Sequence, residues 1–338
     1  MSKSGLPVKG DHDYTQPKPR HVIFASFMLA LATLSGLTPC SASPIQMADR
    51  SALTTRALWR PSAGTTWNYQ LTGTIDVAAT NVDVWDIDLF DASSSTIDSI
   101  HAKGKRVICY FSAGSIEEWR PDAGKFQASD KGNAVEGWQG ENWLRTKSTN
   151  VRNIMLARLD LAAKKKCDGV EPDNVDGFDN SNGLGLTAND AIDYVTFLAN
   201  AAHARNLAVG LKNAASIVPR LVNTVDYSVQ EECVRYGDCL DFQPFIQQNK
   251  PVFHVEYSGS GSRKREAHEE GDSSAEDSID PYSAGAATEA AVSPIIAAVP
   301  VATSSKVVSD VGPCGFRVPG FSSIKKNLGL NAWIQLCS

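Results

Sequence analysis

The chain has no basic surplus: 32 Lys and Arg stand against 38 Asp and Glu, a net charge of −6. A general phosphate-neutralising surface is therefore missing, and nucleic acid is excluded as a partner. No Gly-x-Gly-x-x-Gly string follows the first strand pattern, which removes the main support for a dinucleotide-binding open sheet. Cysteine shows no Cys-x-x-Cys or Cys/His spacing of a zinc site, and seven cysteines in 338 residues are too few for a disulfide-framework miniprotein. No Asn-x-Ser/Thr sequon occurs, so glycosylation gives no pointer to the compartment. Long apolar runs are equally scarce. The one candidate, Val22 to Leu37, is short for a membrane span; Lys18 and Arg20 precede it and the small-residue run Cys40-Ser41-Ala42-Ser43 follows. That order describes a secretory signal peptide over residues 1–43, with a membrane anchor as the alternative, and it predicts a secreted, extracellular or cell-wall protein free of stable membrane association.

What is present is 42% hydrophobic residues, enough for a sizeable core. After a linker at 44–57, short β-branched or aromatic runs alternate with helical patterns across 58–338, the grammar of βα units around a parallel sheet. The runs place strands at Trp67–Leu71, Val82–Phe90, Arg106–Ser112, Asp168–Asn174, Leu207–Asn213, Val225–Glu232, Pro251–Tyr257 and Ala332–Cys337. Eight strands predict an α/β fold, a (β/α)8 TIM barrel in a single domain. The clearest helix is Thr187 to Arg205, with Thr187 as cap, Asp190 three residues on, and Ile192, Val195, Leu198, Ala199 and Ala202 on one face. Residues 258–312 are polar, charged, then Ala/Val/Pro-rich without period, which predicts a long disordered insertion before the last helix and strand, with retained non-coding sequence as the alternative origin of the segment.

In such a barrel, side chains closing each strand converge on one face. Here they are acidic: Asp86 and Asp88, then Glu171, Asp173 and Asp176, then Glu231 and Glu232, then Glu256. So many carboxylates would repel one another unless a proton, a cation or a cationic substrate compensates. A calcium loop does not fit: aligning Gly177 or Gly183 with the loop glycine puts Pro172 or Phe178 at the first ligand position. Zinc lacks ligands, since His101 and His203 lie on helical stretches and His254 sits mid-strand. No metal and no cofactor are expected. A glycosidic bond, which needs two facing carboxyl groups, suits the cluster better.

The strings Cys109-Tyr110-Phe111-Ser112-Ala113-Gly114-Ser115, Glu118-Trp119-Arg120-Pro121-Asp122, Gly169-Val170-Glu171-Pro172-Asp173-Asn174-Val175-Asp176-Gly177, Val209-Gly210-Leu211-Lys212-Asn213, Glu231-Glu232-Cys233 and Val252-Phe253-His254-Val255-Glu256-Tyr257 resemble glycoside hydrolase family 114. The match runs from about Leu58 to Tyr257 and resumes near Cys314, interrupted by the insertion. The resemblance implies a (β/α)8 barrel, endo-α-1,4-polygalactosaminidase activity, Asp173 as nucleophile and Glu231 as acid/base. The residues themselves agree on location: both lie at strand ends two strands apart, a separation compatible with a retaining pair. Glu171, two residues from Asp173 on the same strand, stays open as an alternative, either touching substrate or buried against Lys212. Glu232 alternates to the outside of its strand.

Candidate sugar contacts around the pair are Asp86, Asp88, Tyr110, Ser112, Glu171, Asn174, Asp176, Lys212, Asn213, Glu256 and Tyr257, with Tyr110, Trp138, Trp143 and Tyr257 as possible aromatic platforms. The Trp119 to Trp143 stretch either packs against helices or walls the cleft. Cys233 with Cys239, and Cys314 with Cys337, are disulfide candidates; Cys109 and Cys167 are either bridged or free. The expected partner is a cationic galactosamine-containing polysaccharide, met by a monomer. A carbohydrate-binding protein that kept the barrel without catalysis, or a hydrolase of another amino-sugar polymer, remains the alternative.

Overall fold

The computed structural model describes residues 57–258 and 313–337; the signal-peptide and linker expectations and nearly all of the expected insertion lie outside them. Chain order gives β1 (Trp67–Gln70), β2 (Val84–Asp88), α1 (Ser94–Ala102), β3 (Arg106–Ser112), β4 (Ser115–Glu117), β5 (Lys131–Ala134), β6 (Glu141–Leu144), α2 (Thr149–Lys165), β7 (Gly169–Asp173), α3 (Ala188–His203), β8 (Ala208–Lys212), α4 (Val218–Leu221), β9 (Tyr227–Glu231), α5 (Cys233–Tyr236), α6 (Gln243–Gln247), β10 (Val252–Tyr257), β11 (Ser322–Lys326) and β12 (Ile334–Leu336). One sheet runs β1-β2-β3-β7-β8-β9-β10-β11-β12, all neighbours parallel except the last pair. The seam between β11 and β1 is closed by Trp67 Nε1 donating to Ser322 O (2.8 Å) and Lys326 Nζ donating to Asn68 Oδ1 (3.1 Å). The result is an eight-stranded parallel barrel with an appended antiparallel strand.

Alternation along each strand divides the apolar residues into two cores. Val84, Ile108, Ala208, Val229, Phe253, Val255 and Ile324 fill the barrel interior with Trp67, Tyr69 and Tyr227. Trp85, Ile87, Cys109, Phe111, Val170, Val209 and Leu211 face outward and pack beneath the helices. Gly210 is required by this packing, because a Cβ there would lie 2.4 Å from the Tyr227 ring. At the N-terminal rim a device recurs. Asp168 accepts from His101, Arg106 and the Val107 N–H, and Asp226 from His203, Arg60 and the Val209 N–H, so two of the histidines are spent on tying neighbouring strands together.

Helix α3 begins where its cap predicts. Thr187 and Asp190 exchange hydrogen bonds in a capping box, and Tyr194, Val195, Leu198, Ala199 and Ala202 are buried, while Ile192 is half-buried. Helices α4, α5 and α6 are single turns, which explains why their segments lack helical period. All eight expected runs hold strands within two residues of their expected bounds, but the eighth is not a member of the parallel barrel. Ala332–Cys337 instead holds β12, antiparallel to β11, and the parallel eighth strand is Ser322–Lys326. Its Ser-Ser-Ile-Lys-Lys sequence hides a buried lysine, Lys326, whose ammonium donates to Asn68 and to the Asn331 carbonyl. The expected last helix is absent from the described residues after Pro313. Disulfides join Cys233 to Cys239, Cys314 to Cys337, and Cys109 to Cys167.

Candidate active site

The upper layer of the barrel interior is polar. Strand periodicity aims Asp86, Tyr110, Glu171, Asp173, Lys212, Glu231 and Tyr257 inward, above the apolar layer, at the C-terminal ends of their strands. Lys212 is their hub: its Nζ lies 2.9 Å from Glu171 Oε1, 3.2 Å from Asp173 Oδ1 and 3.3 Å from Glu231 Oε2, and donates to the Tyr69 hydroxyl at 3.1 Å. Burial alone would push this ammonium down; Asp173, Glu171 and Glu231 outweigh burial and hold it well above the ordinary lysine range.

Each exposed carboxylate has its own second partner. Tyr110 donates to Asp173 Oδ2 (2.9 Å), and Tyr257 donates to Glu231 Oε1. Burial first, then the facing carboxylate, raises both phenols well above their usual range, so both remain donors. Asn213 clamps Glu231 twice, donating from Nδ2 to Oε2 (3.2 Å) and accepting the Glu231 N–H on Oδ1 (3.0 Å). The clamp depends on Asn213 adopting φ of 49°, a left-handed conformation that asparagine tolerates better than most residues. Asn174 does the same one strand away, at φ of 60°, and donates to the hydroxyls of Ser112 and Ser115. Gly114 is obligatory in this turn, since a Cβ would fall 1.7 Å from Asn174 O.

Accessibility separates the carboxylates. The Asp173 and Glu231 side chains keep 16% and 26% exposure, while Glu171 has none. Of the two readings for Glu171 the buried, lysine-paired one therefore holds. Asp86 and Ser112 are also fully buried and Lys212 is 2% exposed, so these expected sugar contacts support the site from beneath. Asp88 is corrected for another reason: both oxygens accept from the Arg120 guanidinium, at 3.0 and 2.6 Å, which also grips Glu117. Glu256 faces away from the interior, being out of phase with inward Val255 and Tyr257, and its Oε1 accepts from the Val234 N–H and contacts His254. Glu232 leaves the strand in a left-handed turn and pairs with Arg235. Tyr110, Asn174, Asp176 and Asn213 are half-buried at the cleft with the pair. Burial, then the charge of Asp173, raises Asp176 to about 7.

The stretch after β3 forms a three-stranded antiparallel sheet, β4-β6-β5, beside the barrel mouth. Trp143 is buried in it, whereas Trp119 and Trp138 are 51% and 56% exposed. Four groups escaped sequence reasoning: Tyr69, Glu117, Arg120 and Glu141. Glu141 accepts from Ser115 Oγ at 2.7 Å, and burial, then Glu117 and Asp173, raise its carboxyl to about 7. Its only sequence signal is a lone acid between Gly140 and Asn142, indistinguishable from a surface residue.

A parallel eight-stranded barrel with two accessible carboxylates on its fourth and sixth strands, bridged by one buried cation, has the construction of a barrel glycosidase. Comparison with known proteins agrees. Residues 48–338 match the model of glycoside-hydrolase family GH114, and the chain belongs to that family; it is a glycoside hydrolase. Among solved structures, Aspergillus fumigatus Ega3 in complex with galactosamine is 42% identical, with a TM-score of 0.64 over 83% of this chain and 98% of that one. The glycoside hydrolase domain of PelA from Pseudomonas aeruginosa is 11% identical, with a TM-score of 0.48 over 57% of this chain and 84% of that one. No curated protein matches the chain in sequence.

Proposed function

We propose that the protein is a secreted, retaining endo-hydrolase of α-1,4-linked galactosamine polymers, such as galactosaminogalactan, acting by double displacement without a cofactor. Asp173 attacks the anomeric carbon as Glu231 gives its proton to the leaving oxygen, breaking the glycosidic bond. Water then donates a proton to Glu231 and attacks the same carbon, freeing Asp173, so two inversions restore the α configuration.

The observation that carries this reading is the shared ammonium of Lys212. Its contacts with Asp173 Oδ1 and Glu231 Oε2, laid end to end, reach only the lower edge of the separation that an inverting pair uses, about 6.5 Å, and leave room for the retaining separation of about 5 Å. The substrate class is supported by family membership, by the galactosamine bound to the similar Ega3, and by charge. Asp173 and Glu231 keep partial exposure beside a half-buried Asp176 while Lys212 is already engaged beneath them, and a polymer carrying free ammonium groups complements those accessible carboxylates. The test is to incubate the purified protein with partly deacetylated galactosaminogalactan and identify products by mass spectrometry. Internal oligomers of galactosamine are expected; an uncut polymer, or release of single terminal units alone, would overturn the proposal.

A further inference from the structure

Beneath the reacting pair lies a carboxyl group that the reaction does not touch. Asp86, on β2, is wholly buried, and no N–H or hydroxyl donor of the described residues reaches either of its oxygens. Oε2 of Glu171, on β7, is likewise buried and reached by no such donor. These two carboxyl groups are in hydrogen-bonding contact with each other. Carboxylates are acceptors only, so the contact requires a proton on one of them. Glu171 already accepts from the Tyr69 hydroxyl (3.1 Å) and the Lys212 ammonium (2.9 Å) on Oε1, both of which favour its charged form. Among the described residues Asp86 has no hydrogen-bond donor favouring its charge, and the pull of the Lys212 ammonium that does favour it is shared with Glu171, Asp173 and Glu231. Two buried anions in contact with only Lys212 between them would leave one uncompensated.

We propose that Asp86 is held as the neutral acid, donating its hydroxyl proton to Glu171 Oε2, and that through this bond it positions Lys212 beneath Asp173 and Glu231. Glu171 is then satisfied at both oxygens, fixed in one rotamer, and presents a full negative charge to Lys212. The groups facing Asp86 are Glu171 and Asp173 from β7, Lys212 from β8 and Tyr227 from β9; Tyr69 and Ile108 lie opposite it on the flanking strands. Burial, then the charge of Glu171, pushes the Asp86 carboxyl well above the usual range, in the same direction as the geometry. Asp86 is a positioning residue: it acts on the chemistry only through Glu171 and Lys212.

The activity arm of the test rests on the reading of Asp173 and Glu231 given above; the spectroscopic arm does not. Infrared difference spectra between the wild type and Asp86→Asn, with carboxyl-labelled aspartate, should show at neutral pH the carbonyl band of a neutral carboxylic acid lost on substitution. Only ionised carboxylate bands in that difference would overturn the proposal, whether or not the polymer is cleaved. In kinetics, Asp86→Ala leaves Glu171 Oε2 unsatisfied and should lower kcat/KM about tenfold to a hundredfold. The acid limb of its pH profile should move upward, because Glu171 then takes up the proton itself and releases Lys212. Asparagine, a neutral donor of similar shape, should restore both activity and profile. An asparagine variant as impaired as the alanine one, with the profile unmoved in either, would refute the positioning role; if the alanine variant fails to fold, the asparagine variant and the infrared band still decide.

Discussion

Replacing Lys212 by methionine removes the one ammonium that three carboxylates share. Methionine keeps most of the apolar stem, so the perturbation is chiefly electrostatic. At about 3 Å, with the effective dielectric suited to protein sites, each contact with Glu171, Asp173 or Glu231 amounts to about 5 kcal/mol of attraction before desolvation is subtracted. Breaking a buried pair in this way costs about 3–5 kcal/mol net. For a domain of this size that corresponds to a fall in Tm of about 6–20 °C. The loss should grow with pH. Lys212 favours the charged form of Glu171, and without it the folded variant binds protons more readily than the wild type, so its deficit is smallest in acid and largest above neutrality. Melting by circular dichroism across pH gives the stability, and kcat/KM on a galactosamine polymer should fall by at least about a hundredfold through lost positioning of the pair. A variant that melts with the wild type at every pH and keeps activity within about threefold would refute the account of Lys212 as the hub.

Polymers richer in free amine should be cut faster, with an advantage that shrinks as salt rises, because screening weakens contacts between exposed charges; equal rates on acetylated and deacetylated polymer at low salt would count against the acidic mouth. Glu256→Ala should lower stability by about 1–3 kcal/mol, since the Val234 N–H and His254 lose a partner, while kcat stays near wild type; a selective loss of kcat would place Glu256 in the cleft after all. Asp176→Asn should gain stability relative to wild type as pH rises. The native carboxyl, raised to about 7, favours folding while protonated, and that contribution is lost between its unfolded value and about 7 as pH climbs; parallel stability curves for the two proteins would contradict this.

Most of the barrel was legible because seven strands combine β-branched and aromatic residues that must alternate between an inner and an outer core. Ser322–Lys326 was not, since its inward lysine is buried on partners, Asn68 and Asn331, that only the closed barrel brings near. The same contrast runs through the site. Asp173 and Glu231 could be located from their places at strand ends, yet which carboxylate reaches solvent depended on burial that the spacing of Glu171 and Asp173 leaves open. Glu256 was misplaced by an avoidable step: Val255 and Tyr257 are inward, so period two puts the residue between them outward. Asp88 meeting Arg120, and Glu141 meeting Ser115, arise from the sheet inserted after β3, and no local pattern announces either contact.

The central claim is that Asp173 bonds to the sugar while Glu231 moves the proton, and trapping the intermediate tests it most directly. A short α-linked galactosamine oligomer carrying a fluoride leaving group needs no acid to depart, so a Glu231→Gln variant should react with it and then stall for want of a base to activate water. Mass spectrometry of the digested protein should find the sugar attached to the peptide bearing Asp173. No adduct together with a β-configured product, or an adduct on any other residue, would contradict the mechanism.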